Sequence, residues 1–224
     1  MPDLPLVPGP VDAEAPSPAP PPPEAEANAQ AARKRPKPGE RRGQILQTLA
    51  AMLEQPGAER ITTAALAARL GVSEAALYRH FAGKAKMFEG LIEFIESSIF
   101  TLLNQIAERE PDGHAQAQRM VQVLLQFGEK NPGMVRVMVG DALVFEDERL
   151  TQRMNQFFDR VEAQLRQSLR LAAEQAASAA PTVEAQGRAS VLVAFLIGRL
   201  QRYARTGFKR LPTEQVDVAL ALLV

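Results

Sequence analysis

Cysteine and tryptophan are both absent from this 224-residue chain, and histidine occurs only twice. The lack of cysteine excludes disulfides and thiolate chemistry, and the separation of His80 from His114 leaves no ligand set for zinc. The sequence also has no glycine-rich phosphate loop and no serine in a nucleophile-elbow setting. We therefore predict a protein that is not an enzyme and that uses no metal and no cofactor.

Long apolar segments are also missing. The longest apolar run, Ala189 to Gly198, is about half of the ~20 residues that span a bilayer. No apolar stretch follows a basic N-terminus, as it would in a signal peptide. Apolar residues recur at helical spacing and never alternate with a period of two. These patterns predict an all-α protein in the cytoplasm.

Charge and proline are distributed unevenly along the chain. The chain has 26 acidic and 26 basic residues, but the stretch from Arg33 to Arg42 contains six basic residues and a single acid, Glu40. Residues 1–40 hold 12 of the 17 prolines and too little apolar surface to offset the entropy of ordering, so we predict a disordered tail. Its basic end either contacts DNA or serves as a solubilising linker. The predicted divisions are a tail (1–40), a DNA-binding domain (41–87) and a regulatory and dimerisation domain (88–224).

The stretch from Ile61 to Lys86 carries the clearest functional signal. Its first short helix is capped by Thr62 or Thr63 and ends at Gly71, which supplies a positive φ. Ser73 then caps a second short helix. Two short helices joined by a tight turn are typical of the helix-turn-helix, whose second helix enters the DNA major groove.

This stretch resembles the DNA-binding domain of the TetR family, particularly over LGVSEAALYRHFAGK. The resemblance implies a TetR-like fold, with an N-terminal three-helix DNA-binding domain and a C-terminal helical dimerisation domain. Two long C-terminal helices, at 150–174 and 185–206, carry more apolar surface than a thin monomer would hide. In TetR-like proteins the corresponding pair forms a four-helix bundle across a two-fold axis. We therefore expect a homodimer that reads palindromic double-stranded DNA with recognition helices ~34 Å apart.

The resemblance also implies roles for individual residues. Tyr78 and His80 are expected to contact phosphates, the alternative being a Tyr78 packed on helix 1 and an idle His80. Thr62 or Thr63 lies where helix 2 meets the DNA backbone. Lys84 adds a positive charge to the unpaired N–H groups at the start of helix 4, a natural phosphate site. The residues expected nearest to base edges are Ser73, Ala75, Ala76 and Arg79, where an arginine pairing with guanine contributes ~1–3 kcal/mol of discrimination.

Apolar spacing and breaker residues predict the remaining helices. Helix 1 runs over 41–54 and ends at Pro56-Gly57, and helix 4 reaches about Glu110. A helical segment follows from Ala115 to Glu129, then a turn at 131–133. Later elements are helices over 134–146 and 147–175, a loop over 176–180 with Pro181, a helix over 185–206, and a short helix after Pro212 that Thr213 caps.

Three segments resemble a narrower family, the SlmA-like nucleoid occlusion factors: RITTAALAARLGVSEAALYRHFAGKAKMFEGLIEFIE, FGEKNPGMVRVMVGDALVFEDERL and MNQFFDRVEAQLRQSLR. This resemblance spans about residues 41–224. It implies a nucleoid-associated inhibitor of cell division that binds chromosomal DNA and the tubulin-like protein FtsZ and blocks Z-ring assembly. The alternative is a TetR-type repressor that a small ligand releases from its operator.

The FtsZ surface in that family lies between helix 4 and the helices that follow. The matching candidates here are Phe94, Leu102, Gln126, Lys130 and Asn131. Phe94 falls off the apolar stripe of helix 4 and is expected to be exposed as an anchor, the alternative being a core residue. Lys130 and Asn131 are expected to face solvent and suit an acidic peptide such as the C-terminus of FtsZ. Leu102 stands where the family leads us to expect a basic residue.

Overall fold

The computed structural model describes residues 39–55 and 61–224, and every regular element in these ranges is helical. This confirms the all-α fold class, while the predicted disordered tail and the Pro56-Gly57 helix end lie outside the described residues. Within the described ranges, nine α-helices and one 3₁₀ turn follow in order. They are α1 (Glu40–Leu53), α2 (Thr63–Leu70), α3 (Glu74–Tyr78), α4 (Lys84–Arg109), α5 (Gly113–Lys130), α6 (Pro132–Met138), the 3₁₀ turn (Asp141–Leu143), α7 (Glu148–Gln175), α8 (Pro181–Arg205) and α9 (Val216–Leu223).

The first three helices pack around α1, and their buried side chains belong to the same hydrophobic core as the rest of the described residues. Ile45, Leu49 and Leu53 recur every four residues and are buried, so one stripe of α1 faces inward. Leu66 of α2 and Leu77 of α3 are buried with them. Burying these side chains fixes the angle between α2 and α3, which is the geometry that a helix-turn-helix needs.

The long helix α4 connects this group to the rest of the chain. It has 26 residues and packs against α1, α5, α6 and α7. Its buried side chains lie on one stripe that extends from Phe88 to Leu103. All the described residues fall within one compact unit, residues 38–224, and the domain boundary at 87/88 stays a prediction.

The helices α7 and α8 form an antiparallel pair, with α5 on its inner side. Gly113 begins α5 against the backbone of α7, where an added Cβ would lie 2.4 Å from Ser168 O. Ser168 and Gln116 are both buried, and the Ser168 hydroxyl donates to Gln116 Oε1 at 2.8 Å. The Gln116 amide donates in turn to the Glu110 carbonyl at 2.6 Å, so this polar group is satisfied inside the body.

The predicted helix over 134–146 is wrong in its second half. The helix α6 ends at Met138, and Gly140 then adopts a left-handed conformation with φ 86°. A short 3₁₀ turn follows, and Val144 and Phe145 are exposed. The predicted turn at 131–133 is confirmed only at Asn131, because Pro132 is already the first residue of α6, where its missing N–H costs nothing.

Two predictions near the C-terminus need similar corrections. The helix predicted to begin at 185 begins at Pro181, again because proline suits the first helical turn. Thr213 does not cap the last helix, which begins at Val216 after Gln215 with φ 52°. The Thr213 hydroxyl instead donates to the Glu129 carboxylate and fastens the C-terminal segment to α5.

The helices α4 and α7 are joined by polar contacts at successive turns. Arg153 pairs with Glu96 through two hydrogen bonds, at 3.2 and 2.6 Å. Further along, the Arg160 guanidinium lies 3.9 Å from the centre of the Phe100 ring, and the Gln164 amide donates to Asn104 at 2.7 Å. These contacts fix one side of α4 against α7, while α1, α5 and α6 pack on other parts of its surface.

Candidate nucleic-acid interface

The structure confirms that α2, α3 and their turn form as the local sequence predicts. Thr62 is the N-cap of α2, and its hydroxyl accepts the Ala65 N–H at 3.1 Å, which decides between the two threonines. Gly71 has φ 65°, and the Val72 N–H reaches the Ala67 carbonyl at 3.0 Å, closing the turn. Ser73 caps α3 by accepting the Ala76 N–H at 3.3 Å.

Thr63 meets α3 rather than capping α2. Its hydroxyl donates to the Glu74 carboxylate at 2.7 Å and lies 3.4 Å from the Tyr78 hydroxyl. Tyr78 is 48% exposed, so it is not packed on α1. The two hydroxyls therefore meet at the surface, and the phenol is held where it can turn and donate to a phosphate. The sequence reading missed Glu74 in this role, although its position four residues before Tyr78 places both on one face of α3.

The residues of α3 and its cap differ in their exposure and in whether their side chains are already hydrogen-bonded. Ser73 is occupied as a cap, and Ala76 is half-buried. Ala75 and Arg79 are exposed and lie four residues apart, so they share the outward face. The helix ends at Tyr78, with Arg79 as its C-cap, so Arg79 and His80 lie at the end of the recognition helix rather than within it. His80 is exposed.

Arg42 of α1 supports this end of α3. Its guanidinium donates to the His80 carbonyl at 3.2 Å and lies 4.2 Å from the centre of the Phe81 ring. The basic run from Arg33 to Arg42 predicted positive charge near the DNA-binding helices. It could not predict that Arg42 positions the end of α3, because that contact joins residues far apart in the sequence. The contact also places one positive charge beside the exposed residues Arg79 and His80.

Lys84 is the first residue of α4, but its ammonium is not turned outward. The Nζ atom lies 2.5 Å from Glu146 Oε1, and the Lys84 side chain is 28% exposed. The Glu146 side chain is 8% exposed. Gly83 provides no side-chain cap for α4, so the helix start keeps its predicted potential for binding a phosphate. The Lys84 ammonium, which we predicted to bind a phosphate, is thus held in an ion pair with Glu146, just before the start of α7.

The predicted partner residues lie on two neighbouring helices. Phe94 is 47% exposed and Leu102 is 39% exposed, so neither is a core residue of α4. Eight residues separate them, which turns their side chains about 80° apart around the helix. Because Glu96 and Asn104 face α7, both apolar side chains lie on the side of α4 that is turned away from it.

The other three partner candidates lie at the C-terminal end of α5. Gln126 and Lys130 are exposed, as predicted for a solvent-facing site. Asn131 is only half-buried, not fully exposed, and its amide donates to the Phe127 carbonyl at 2.8 Å. Its side chain terminates α5 and is therefore less available to a partner than we expected.

Other kinds of site receive no support from the residues the structure covers. Within residues 39–55 and 61–224, no group of three His, Asp or Glu side chains is arranged to hold a metal ion. Over the same ranges, no helix combines the length and the apolar character needed to cross a membrane.

Comparison with protein families identifies two regions of the chain. Residues 45–91 match the family described as bacterial regulatory proteins, tetR family. Residues 112–224 match the SlmA-like family described as tetracyclin repressor-like, C-terminal domain. The first match covers the helix-turn-helix and the start of α4, and the second covers α5 to α9.

Solved structures with the same fold are distant in sequence. The transcriptional regulator FadR from Bacillus subtilis, in complex with stearoyl-CoA, superposes with a TM-score of 0.65 at 13% identity, over 81% of this chain and 97% of FadR. The TetR-family regulator PfmR from Thermus thermophilus has a TM-score of 0.65 at 20% identity, over 81% of this chain and 94% of PfmR. These similarities show the TetR-like fold alone.

Curated relatives are much closer. The nucleoid occlusion factor SlmA of Photobacterium profundum is 52% identical over 186 residues, covering 81% of this chain and 92% of the relative. SlmA of Vibrio vulnificus is 50% identical over 188 residues, covering 84% and 95%. Both relatives are named as nucleoid occlusion factors, and PfmR is named as a transcriptional regulator. The chain therefore belongs to the SlmA family of nucleoid occlusion factors and carries the DNA-binding domain of the TetR family.

Proposed function

We propose that this protein binds specific chromosomal DNA sites and FtsZ together, and so blocks assembly of the Z-ring over the nucleoid. Its relatives are named for nucleoid occlusion, and the chain covers nearly all of their length. The observation that carries the DNA half of the proposal is the exposed Tyr78 hydroxyl at the end of the recognition helix, which lies 3.4 Å from the hydroxyl of Thr63, itself bonded to Glu74. The protein accordingly works at the nucleoid.

The proposed DNA contacts divide between phosphates and bases. Tyr78, His80 and Lys84 bind phosphates, and Thr62 or Thr63 approaches the backbone from the start of α2. Base edges are read by the outward face of α3, where Ala75 and Arg79 are exposed. Ser73 and Ala76 are less able to contact base edges, because Ser73 caps α3 and Ala76 is half-buried. Arg79 is the residue best suited to pair with guanine.

The protein acts as a homodimer in this proposal. One side of α8 exposes a row of small or apolar residues, including Val183 and Val191, which are 74% and 50% exposed. Gly187 and Gly198 belong to the same row, and nothing lies within 4 Å of a Cβ built at either. Such a row allows close approach of a second α8, and a two-fold axis there pairs two recognition helices on a palindrome.

The FtsZ half of the proposal depends on the exposed side of α4. Phe94 offers a large apolar anchor, and Leu102 extends the same side along the helix. Lys130 and Gln126 are exposed on the adjacent helix α5, where a positive charge favours an acidic peptide. This combination of an aromatic anchor with a polar rim is typical of sites that bind a short peptide.

The competing proposal is a repressor that a small ligand releases from DNA. The cleft between α4, α5 and α7 does not favour it. A cleft of about 450 Å³ lies between α4, α5 and α7, but it is open to solvent rather than enclosed. The buried polar side chains at its base, Gln116 and Ser168, already bond to each other and to backbone carbonyls. Gln164 also lines the cleft, and its buried Oε1 atom has no hydrogen-bond partner, so among the described residues the cleft offers a small ligand one free buried acceptor.

The DNA half can be tested with the two tyrosines of the chain. Tyr78→Phe is expected to weaken DNA binding about tenfold, because it removes a hydrogen bond to a charged phosphate. Tyr203→Phe is the matched control: Tyr203 is 4% exposed and its hydroxyl donates to the Glu129 carbonyl at 3.2 Å. The control is expected to lower stability without changing DNA affinity.

The measurement is fluorescence anisotropy with a labelled duplex that the wild-type protein selects from a random library. Equal affinity of wild type, Tyr78→Phe and Tyr203→Phe would show that Tyr78 makes no phosphate contact. Failure of the wild-type protein to select any duplex would contradict DNA binding itself.

A further inference from the structure

We propose that Glu146 is an intramolecular competitor for DNA phosphate at Lys84. This inference rests on the proposed DNA binding and adds a regulatory contact to it. The carboxylate of Glu146 lies 2.5 Å from the Lys84 ammonium, although the two residues belong to different parts of the chain. Lys84 begins α4, and Glu146 directly precedes Asp147, the N-cap of α7.

Glu146 and a DNA phosphate would compete for the Lys84 ammonium. A phosphate at the start of α4 is attracted by the unpaired N–H groups there and by the Lys84 ammonium. The Glu146 carboxylate is attracted by the same ammonium and is 8% exposed, so water replaces Lys84 poorly as its partner. A carboxylate and a phosphate both carry negative charge and repel each other at one ammonium. Phosphate binding at Lys84 therefore weakens the contact with Glu146.

Two other charged residues near this point, Lys86 and Asp147, are already paired. Lys86, two residues along α4, forms an ion pair with Glu89 at 2.7 Å. Asp147 is paired with Arg149 at 2.5 Å, and this hydrogen bond lowers the pKa of Asp147 from 3.8 to about 2. Lys84 is thus the cation that Glu146 engages, and no neighbouring pair needs to rearrange when that contact breaks.

The segment from Gly140 to Glu146 is built to respond to that break. It begins at the left-handed Gly140, and Ala142 and Leu143 of its short 3₁₀ turn are buried, whereas Val144 and Phe145 are exposed. The part of the segment next to Glu146 is therefore the part that can move. A carboxylate that loses its partner while poorly exposed must become hydrated, so the segment moves until Glu146 reaches water. DNA binding at Lys84 is in this way transmitted to the segment before α7. By thermodynamic linkage, the position of this segment changes DNA affinity by the same factor.

The test compares two neighbouring acids, of which only Glu146 contacts Lys84. Glu146→Gln removes the competitor and is expected to tighten binding to the library-selected duplex between about threefold and tenfold. Glu148→Gln makes the same charge change at an exposed residue of α7 and is expected to change affinity less than twofold. In a Lys84→Ala background, Glu146→Gln is expected to lose its effect. Thermal melts confirm that each variant is folded.

Hydrogen exchange supplies a readout that general electrostatics would not move. Adding the duplex to wild-type protein is expected to speed exchange over residues 140–147, whereas Glu146→Gln, which has no carboxylate to hydrate, should show no such change when DNA is added. The inference is overturned if Glu146→Gln binds no tighter than Glu148→Gln, or gains equally in the Lys84→Ala background. Either outcome leaves the proposed DNA binding intact, which fails if the wild-type protein binds no duplex.

Discussion

Gly133→Ala is expected to lower the free energy of unfolding by about 3 kcal/mol, because no space exists for a methyl group at this position. A Cβ built on Gly133 lies 2.0 Å from the Ala50 carbonyl oxygen and 2.9 Å from its carbon. Both neighbours are backbone atoms of α1, so rotating a side chain cannot relieve the overlap. The helices α1 and α6 would have to separate, and with them the DNA-binding end would move relative to the body.

Gly43→Ala is the matched control for this prediction. Gly43 also lies in a helix, but nothing lies within 4 Å of its added Cβ. Alanine there is expected to stabilise the protein by roughly 0.5–1 kcal/mol, because glycine is unfavourable inside a helix. Urea unfolding followed by circular dichroism measures both variants. If Gly133→Ala unfolds at the wild-type urea concentration, the close contact between α1 and α6 does not exist.

The parts of the fold that the sequence predicts are those set by neighbouring residues. The caps at Thr62 and Ser73 and the turn at Gly71 depend on side chains and backbone within one or two helical turns, so local patterns are sufficient. The same holds for the exposure of Phe94, because a residue off the apolar stripe of α4 turns away from the core. Helical spacing alone gives that result.

The parts that were predicted wrongly depend on distant contacts. Residues 134–146 carry a helical apolar pattern, but Gly140 interrupts it where the chain turns towards α7. Thr213 has the chemistry of a cap, yet a carboxylate on α5 engages its hydroxyl. The ion pair between Lys84 and Glu146 joins residues that no local pattern connects. The sequence shows which charges exist, and only packing shows which of them meet.

Phe94→Ala is expected to weaken binding of the FtsZ C-terminal peptide about 30-fold or more, because an exposed aromatic anchor contributes ~2 kcal/mol or more to such a site. Phe94 is 47% exposed and lies off the buried stripe of α4, so its removal should leave the fold and DNA binding unchanged. Anisotropy of a fluorescein-labelled peptide with the acidic C-terminal sequence of FtsZ measures the loss directly.

Leu211→Ala serves as the control for Phe94→Ala. Leu211 is 46% exposed, a fraction close to that of Phe94, but it lies in the segment before α9. Its removal should leave peptide binding unchanged. If both variants bind the peptide as the wild type does, the partner surface lies elsewhere than on the exposed side of α4. If both lose binding equally, the effect is not specific to this helix.

The most direct test of DNA-dependent inhibition of FtsZ is sedimentation of FtsZ polymers formed with GTP. Purified protein is added alone, with the library-selected duplex, or with a scrambled duplex of equal length. We expect the sedimented polymer to fall most with the selected duplex, because the proposed DNA and FtsZ surfaces are separate and both include residues of α4. Equal polymer in all three mixtures, or recovery of polymer when the selected duplex is added, would contradict this function.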